Sequence, residues 1–79
     1  MDYMKENLVK FLEEYAGNSS QFLLDRILEK LRIRDLHALD EDDKEDLMDA
    51  LIDDVLSAFV SLQKQRMLRS RIKSILDGE

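Results

Sequence analysis

The sequence predicts an all-α protein, a helical hairpin followed by a long third helix, and three observations support this class. Apolar residues recur at helical spacing along most of the chain. The 79 residues include no proline and only two glycines, Gly17 and Gly78, so few positions interrupt a helix. Groups of Ser, Asn and Asp lie where helices are expected to begin. A chain of this length forms one domain, which we place at 1–79.

The first helix is predicted over residues 2–16. Its apolar side chains recur three and four positions apart and form one face: Met4, Leu8, Phe11, Leu12 and Tyr15. Gly17 follows, where a helix end favours a residue that tolerates positive φ. The helix is therefore expected to end at this glycine.

The second helix begins near Asn18, Ser19 and Ser20, whose side chains offer capping oxygens, and Asn18 and Gln21 have the spacing of a loose capping box. Its inner face is formed by Leu24, Ile27, Leu28 and Leu31, and Leu23 lies beside this face. The short link to the first helix favours an antiparallel hairpin. We place a turn at about 35–39, before the acidic run that opens the next helix.

The third helix is predicted to run from about 41 to 76, with Asp40 as its cap. A continuous helix of that length would measure roughly 54 Å. Two arrangements remain open, because the apolar residues of 47–62 and those of 67–76 point in nearly opposite directions on the helical wheel. Either the helix continues and its end packs against another body, which we favour, or it breaks near 63–66 and returns as a fourth helix.

Self-association is predicted because the first two helices are too short to cover the third. Around Val55 the apolar sector is wider than that of an ordinary surface helix. The residues expected to meet a second copy are Leu51, Val55, Leu56, Phe59, Val60 and Leu62. A second apolar strip is expected to face another partner: Met67, Leu68, Ile72, Ile75 and Leu76. The predicted fold is thus completed as a bundle by dimerisation.

Charge is segregated along the third segment. Residues 35–54 contain ten acidic residues and one lysine, whereas 55–76 contain five basic residues and no acidic one. Matching to the helix dipole explains part of this pattern. Two such helices placed antiparallel would also set acidic side chains against basic ones. The pattern therefore favours an antiparallel homodimer through the 41–76 segment.

Catalysis has little support in the residue types. The chain has no cysteine, one histidine (His37), and no serine or threonine beside a base. The carboxylates of Asp42, Asp46, Asp49 and Asp53 form a stripe at helical spacing, for which a magnesium-dependent nucleotide hydrolase is a second alternative function. We expect no enzyme activity, cofactor or metal.

The basic segment 64–73 offers an alternative function, contact with nucleic acid. Its candidate phosphate contacts are Lys64, Arg66, Arg69, Arg71 and Lys73. They do not share one helix face, no aromatic residue lies among them for base stacking, and the net charge of −6 opposes approach to phosphate. Binding at a membrane surface is disfavoured for lack of an aromatic anchor in this segment.

The sequence as a whole predicts a non-catalytic helical protein–protein interaction or assembly module that self-associates. A small regulator that contacts nucleic acid through 64–73 is the alternative. No apolar run approaches the roughly 18 residues of a transmembrane helix, and the first residues do not form a signal peptide. We expect a cytoplasmic protein.

Overall fold

The computed structural model describes residues 3–78, and this range folds into helices without a strand. Its α-helices are α1 (Tyr3–Ala16), α2 (Ser20–Lys30), α3 (Glu41–Asp54) and α4 (Leu62–Leu76). Short 3₁₀ turns occupy the links, at Gly17–Ser19, Leu36–Ala38 and Leu56–Ala58. The all-α prediction is confirmed. Residues 1, 2 and 79, which include the predicted start of the first helix, lie outside the described residues.

The link between α1 and α2 depends on Gly17, whose φ of 61° lies in the left-handed region. The prediction of a glycine-terminated first helix is therefore confirmed. The following serines act differently from the predicted caps. Ser19 occupies the N-cap position of α2 without a capping hydrogen bond from its side chain, and the Ser20 hydroxyl instead donates to the Gly17 carbonyl at 2.8 Å.

Helix α2 ends at Lys30, earlier than the sequence suggested. Arg32 follows with a φ of 59°, and the Ile33 amide donates to the Leu28 carbonyl at 2.9 Å, which closes the helix end as a glycine would ordinarily do. The short turn at Leu36–Ala38 falls inside the predicted turn of 35–39. This ten-residue connection leads the chain from α2 to the start of α3.

Helix α3 begins as predicted but ends far sooner. The Asp40 carboxylate accepts a hydrogen bond from the Asp43 amide at 2.8 Å and caps the helix. The continuous helix over 41–76 is wrong, because the backbone leaves the helix at Val55 and α4 begins only after Ser61. The Ser61 hydroxyl caps α4 by accepting from the Lys64 amide at 3.3 Å. A break does occur, but at 55–61 instead of 63–66.

The break returns α4 antiparallel to α3. Arg69 of α4 reaches Asp49 of α3, and Lys44 in the first turn of α3 contacts Asp77, which follows α4. Helix α1 packs against α2 and α4, and α3 packs against the same two helices, so the four form a bundle. The described chain measures 30 × 24 × 23 Å, much less than the roughly 54 Å of a continuous third helix.

One hydrophobic core joins all four helices. Its buried members include Leu8, Leu12, Leu24, Leu47, Leu51, Leu56, Leu68 and Ile72. The expectation that the chain's own helices cannot cover the apolar surface of 41–76 is therefore wrong for most of that surface, and Phe59, Leu62 and Met67 are the large apolar residues of it that stay exposed. The break lets the two oppositely phased apolar sectors face the same core, which a straight helix cannot do.

Candidate functional site

The residues predicted for self-association divide between core and surface. Leu51, Val55 and Leu56 are buried against other helices of the same chain, so they are not available to a second copy. This corrects their assignment, which assumed that they lay on a straight helix. Val60 is half-buried, whereas Phe59 and Leu62 are exposed. The structure therefore leaves two of these six side chains open to solvent.

The predicted partner strip on the last helix is corrected in the same way. Leu68, Ile72 and Leu76 belong to the core, and Ile75 packs against it from a half-buried position. Only Met67 remains on the surface, with 64% of its side chain area exposed. The strip points towards α1 and α3 because α4 has folded back along them.

Three exposed apolar side chains remain near the turn between α3 and α4, and we call them the link patch: Phe59, Leu62 and Met67. Their exposed fractions are 53%, 77% and 64%. They lie within nine consecutive residues, beside and along the first turns of α4. Single exposed apolar residues are ordinary on a soluble protein, but several close together are typical of interaction surfaces. Sequence reasoning included these three residues but did not separate them from their buried neighbours.

Most of the basic residues proposed as phosphate contacts are already paired within the chain. Arg69 contacts Asp49 at 2.6 Å, and Lys73 contacts Asp77 at 2.9 Å. The further pairs join Arg69 to Glu45 at 3.5 Å and Arg71 to Glu14 at 3.4 Å, and Arg71 also lies 4.9 Å from the centroid of the Phe11 ring.

Within residues 3–78, Lys64 and Arg66 are the members of this set that make no ion pair. They lie in the first two turns of α4, and both are exposed. The cations therefore do not form a continuous surface for a phosphate backbone, because neighbouring carboxylates neutralise most of them.

A charged cluster fastens the end of α4 to the start of α3. Asp77 accepts hydrogen bonds from Lys44 at 3.0 Å and from Lys73 at 2.9 Å. These bonds lower the pKa of Asp77 below its ordinary value, and the bond to Asp77 raises the pKa of each lysine. The side chain of Lys44 is only 18% exposed. This arrangement stabilises the antiparallel hairpin and offers no free group for chemistry.

A shallow groove of about 670 Å³ runs between α2 and the end of α3. Leu23, Ile27 and Val55 contribute its apolar lining, and the charged residues along it include Lys30 and Asp54, which lie 3.5 Å apart. The lining contains no histidine, serine, threonine or cysteine, and Lys30 and Asp54 are paired with each other.

The carboxylate stripe of Asp42, Asp46, Asp49 and Asp53 is exposed along the outer side of α3. Within residues 3–78, no three acidic or histidine side chains come together in a way that would hold a metal ion. His37 is exposed in the link before α3, and its backbone amide donates to the Asp35 carboxylate at 2.9 Å. The stripe therefore presents separate carboxylates along a helix.

Comparison of the chain with protein-family models, with curated proteins and with solved structures finds no match. Among the helices described above, none combines the length and the apolar character needed to cross a membrane. Inference about function therefore depends on the geometry of this chain.

Proposed function

We propose that this protein is a non-catalytic helical interaction module that self-associates through the surface of the α3–α4 hairpin. The observation that carries the proposal is the link patch, in which Phe59, Leu62 and Met67 are all more than half exposed. Within residues 3–78 one core buries 15 apolar residues, and these three lie outside it. Their exposure is better explained by a surface that another protein covers.

Exposed apolar side chains cost free energy in water, and association removes part of that cost. Burying a Phe, Leu or Met side chain contributes about 1.5–3 kcal/mol relative to leaving it in water. Association also costs several kcal/mol in lost freedom of motion, so only part of this gain becomes affinity. Three such residues support a dimer of modest affinity, formed at tens of micromolar, instead of an obligate complex.

The proposal is tested by sedimentation equilibrium over a range of concentrations around tens of micromolar. We expect a mass approaching twice the 9.3 kDa of one chain at the upper end of that range. The variant Leu62→Asp should shift the protein to a monomer and leave its helical content unchanged, because Leu62 is 77% exposed.

The matched control is Phe22→Asp, since Phe22 is also exposed, at 63%, but lies on α2. It should keep the mass of the native protein. A native chain that stays monomeric throughout the range would contradict the proposal. Binding of duplex DNA at about 100 mM salt would favour the nucleic-acid alternative, in which Lys64 and Arg66 would be the cations free to act.

A further inference from the structure

The outer sides of α3 and α4 have matching spacing and opposite charge. On α3 one exposed row consists of Asp42, Asp46, Asp49 and Asp53, and on α4 a row next to it consists of Leu62, Arg66, Lys73 and the half-buried Arg69. Both sets follow the same spacing of four, three and four residues. At 100° per residue each set falls within an arc of about 60°. The hairpin therefore presents an acidic ridge beside a largely basic one.

The ridges are level with each other because the helices are antiparallel. The pair Asp49–Arg69 is formed at 2.6 Å, which fixes the register. In that register Asp53 lies level with Arg66, and Asp46 lies level with Lys73. Asp46, Asp53 and Arg66 are exposed and make no ion pair within the described chain. The ion pair between Asp49 and Arg69 thus lies in the middle of the face, and unpaired charges remain on both sides of it.

We infer that this two-helix face is the surface through which two copies of the chain pair, with α3 of each copy lying over α4 of the other. This inference rests on the self-association proposed above and specifies its geometry. Two copies with aligned helices can be related by a two-fold axis that is either parallel or perpendicular to the helices. The perpendicular axis sets α3 on α3 and so opposes like charges. The parallel axis sets Asp53 of each copy on Arg66 of the other, and Asp46 on Lys73.

The second copy is the occupant that the charges favour. The face carries acidic side chains on α3 and basic side chains on α4. It is therefore complementary in charge to a second copy of itself and not to a uniformly acidic or basic partner. Leu62, which is 77% exposed and begins the basic ridge, adds an apolar contact at one end of the face. Met67 lies about 140° around α4 from Leu62, so Leu62 is the member of the link patch on α4 that joins the charged face.

Charge reversal tests this geometry without disturbing the fold. Asp53 is near the end of α3 and Arg66 is near the start of α4. The variants Asp53→Arg and Arg66→Asp therefore place each new charge where the helix dipole favours it, and neither removes an ion pair within the chain. Sedimentation equilibrium measures the dimer dissociation constant, and circular dichroism confirms that each variant keeps its helices.

Each single reversal should raise the dissociation constant at least about a hundredfold, because the two-fold axis repeats every like-charge contact. The double variant, which carries both reversals, should return it to within about tenfold of the native value, because opposite charges face each other again. Glu13→Lys is the control, since Glu13 is exposed on α1 and lies outside the face. It should leave the dissociation constant unchanged.

Salt provides an independent measurement. Raising it from about 20 mM to about 500 mM shortens the screening length from roughly 20 Å to roughly 4 Å and should weaken the native dimer at least about tenfold. A native dimer that tolerates both single reversals would overturn the inferred face and leave self-association in place. A native chain that is monomeric at low salt and tens of micromolar would overturn both proposals.

Discussion

Neighbouring residues on α4 allow a direct test of whether the apolar strip of 67–76 serves the core or a partner. Leu68 is 2% exposed, whereas Met67, one position earlier, is 64% exposed. We predict that Leu68→Ala strongly destabilises the fold and that Met67→Ala does not. The two substitutions are comparable because leucine and methionine have side chains of similar size and both residues lie on α4.

The expected magnitude follows from burial. Replacing a buried leucine by alanine costs about 2–5 kcal/mol, which includes the lost transfer free energy and the cavity left behind. A domain of this length has a free energy of unfolding of about 4–12 kcal/mol, so the substitution removes a large share of it. Each kcal/mol lowers the Tm of such a domain by about 4–8 °C. Met67→Ala should change the free energy of unfolding by less than about 0.5 kcal/mol.

Urea unfolding followed by circular dichroism measures both variants, with the mass of each determined in parallel. The core assignment predicts a lower midpoint for Leu68→Ala at every protein concentration. If Leu68→Ala instead kept the native free energy of unfolding and lost only its association, Leu68 would be a surface contact and the bundle described here would be wrong.

Three further predictions concern the ends of the helices. Arg32→Gly should raise the free energy of unfolding by about 1 kcal/mol in urea titration, because glycine adopts the φ of 59° at this position without steric cost. Asp40→Ala should lower it by about 1 kcal/mol in the same assay, because the capping bond to the Asp43 amide is lost. Asp77→Asn should lower the Tm at neutral pH. Because the pKa of Asp77 is lowered from 3.8 and that of Lys44 is raised from 10.5, this difference should vanish as pH falls through the folded pKa of the carboxyl or rises through that of the lysine.

The sequence predicted the elements whose ends carry a local chemical cause. Gly17 ends α1 because it accepts positive φ, and Asp40 begins α3 because its carboxylate caps the first turn. The inner faces of α1 and α2 were also predicted, since Leu8, Leu24 and Ile27 are buried. Helical periodicity is sufficient for these positions because each helix has one polar and one apolar side.

The break at 55–61 was missed because it contains neither glycine nor proline. Several weaker features produce it: Ser57 donates to the Asp53 carbonyl at 2.7 Å, Ser61 caps α4, and the Gln65 side chain donates to the Val60 carbonyl at 3.1 Å. Each contributes too little alone to end a helix. The change of phase between the apolar sectors did indicate a break, but it did not indicate where the break lies. The hairpin is favoured over a straight helix because it buries both apolar sectors in one core.

The surface could be predicted less well than the core, since which residues are exposed depends on which neighbours are buried. Phe59 and Leu62 were grouped with Leu56, and their separation required the position of the break. The segregation of charge shows the same dependence. It specifies an antiparallel partner for α3, and the chain's own α4 supplies one through Asp49 and Arg69. The charges that this intrachain pairing leaves without a partner, on Asp46, Asp53 and Arg66, are the physical basis of the pairing that we infer between two copies.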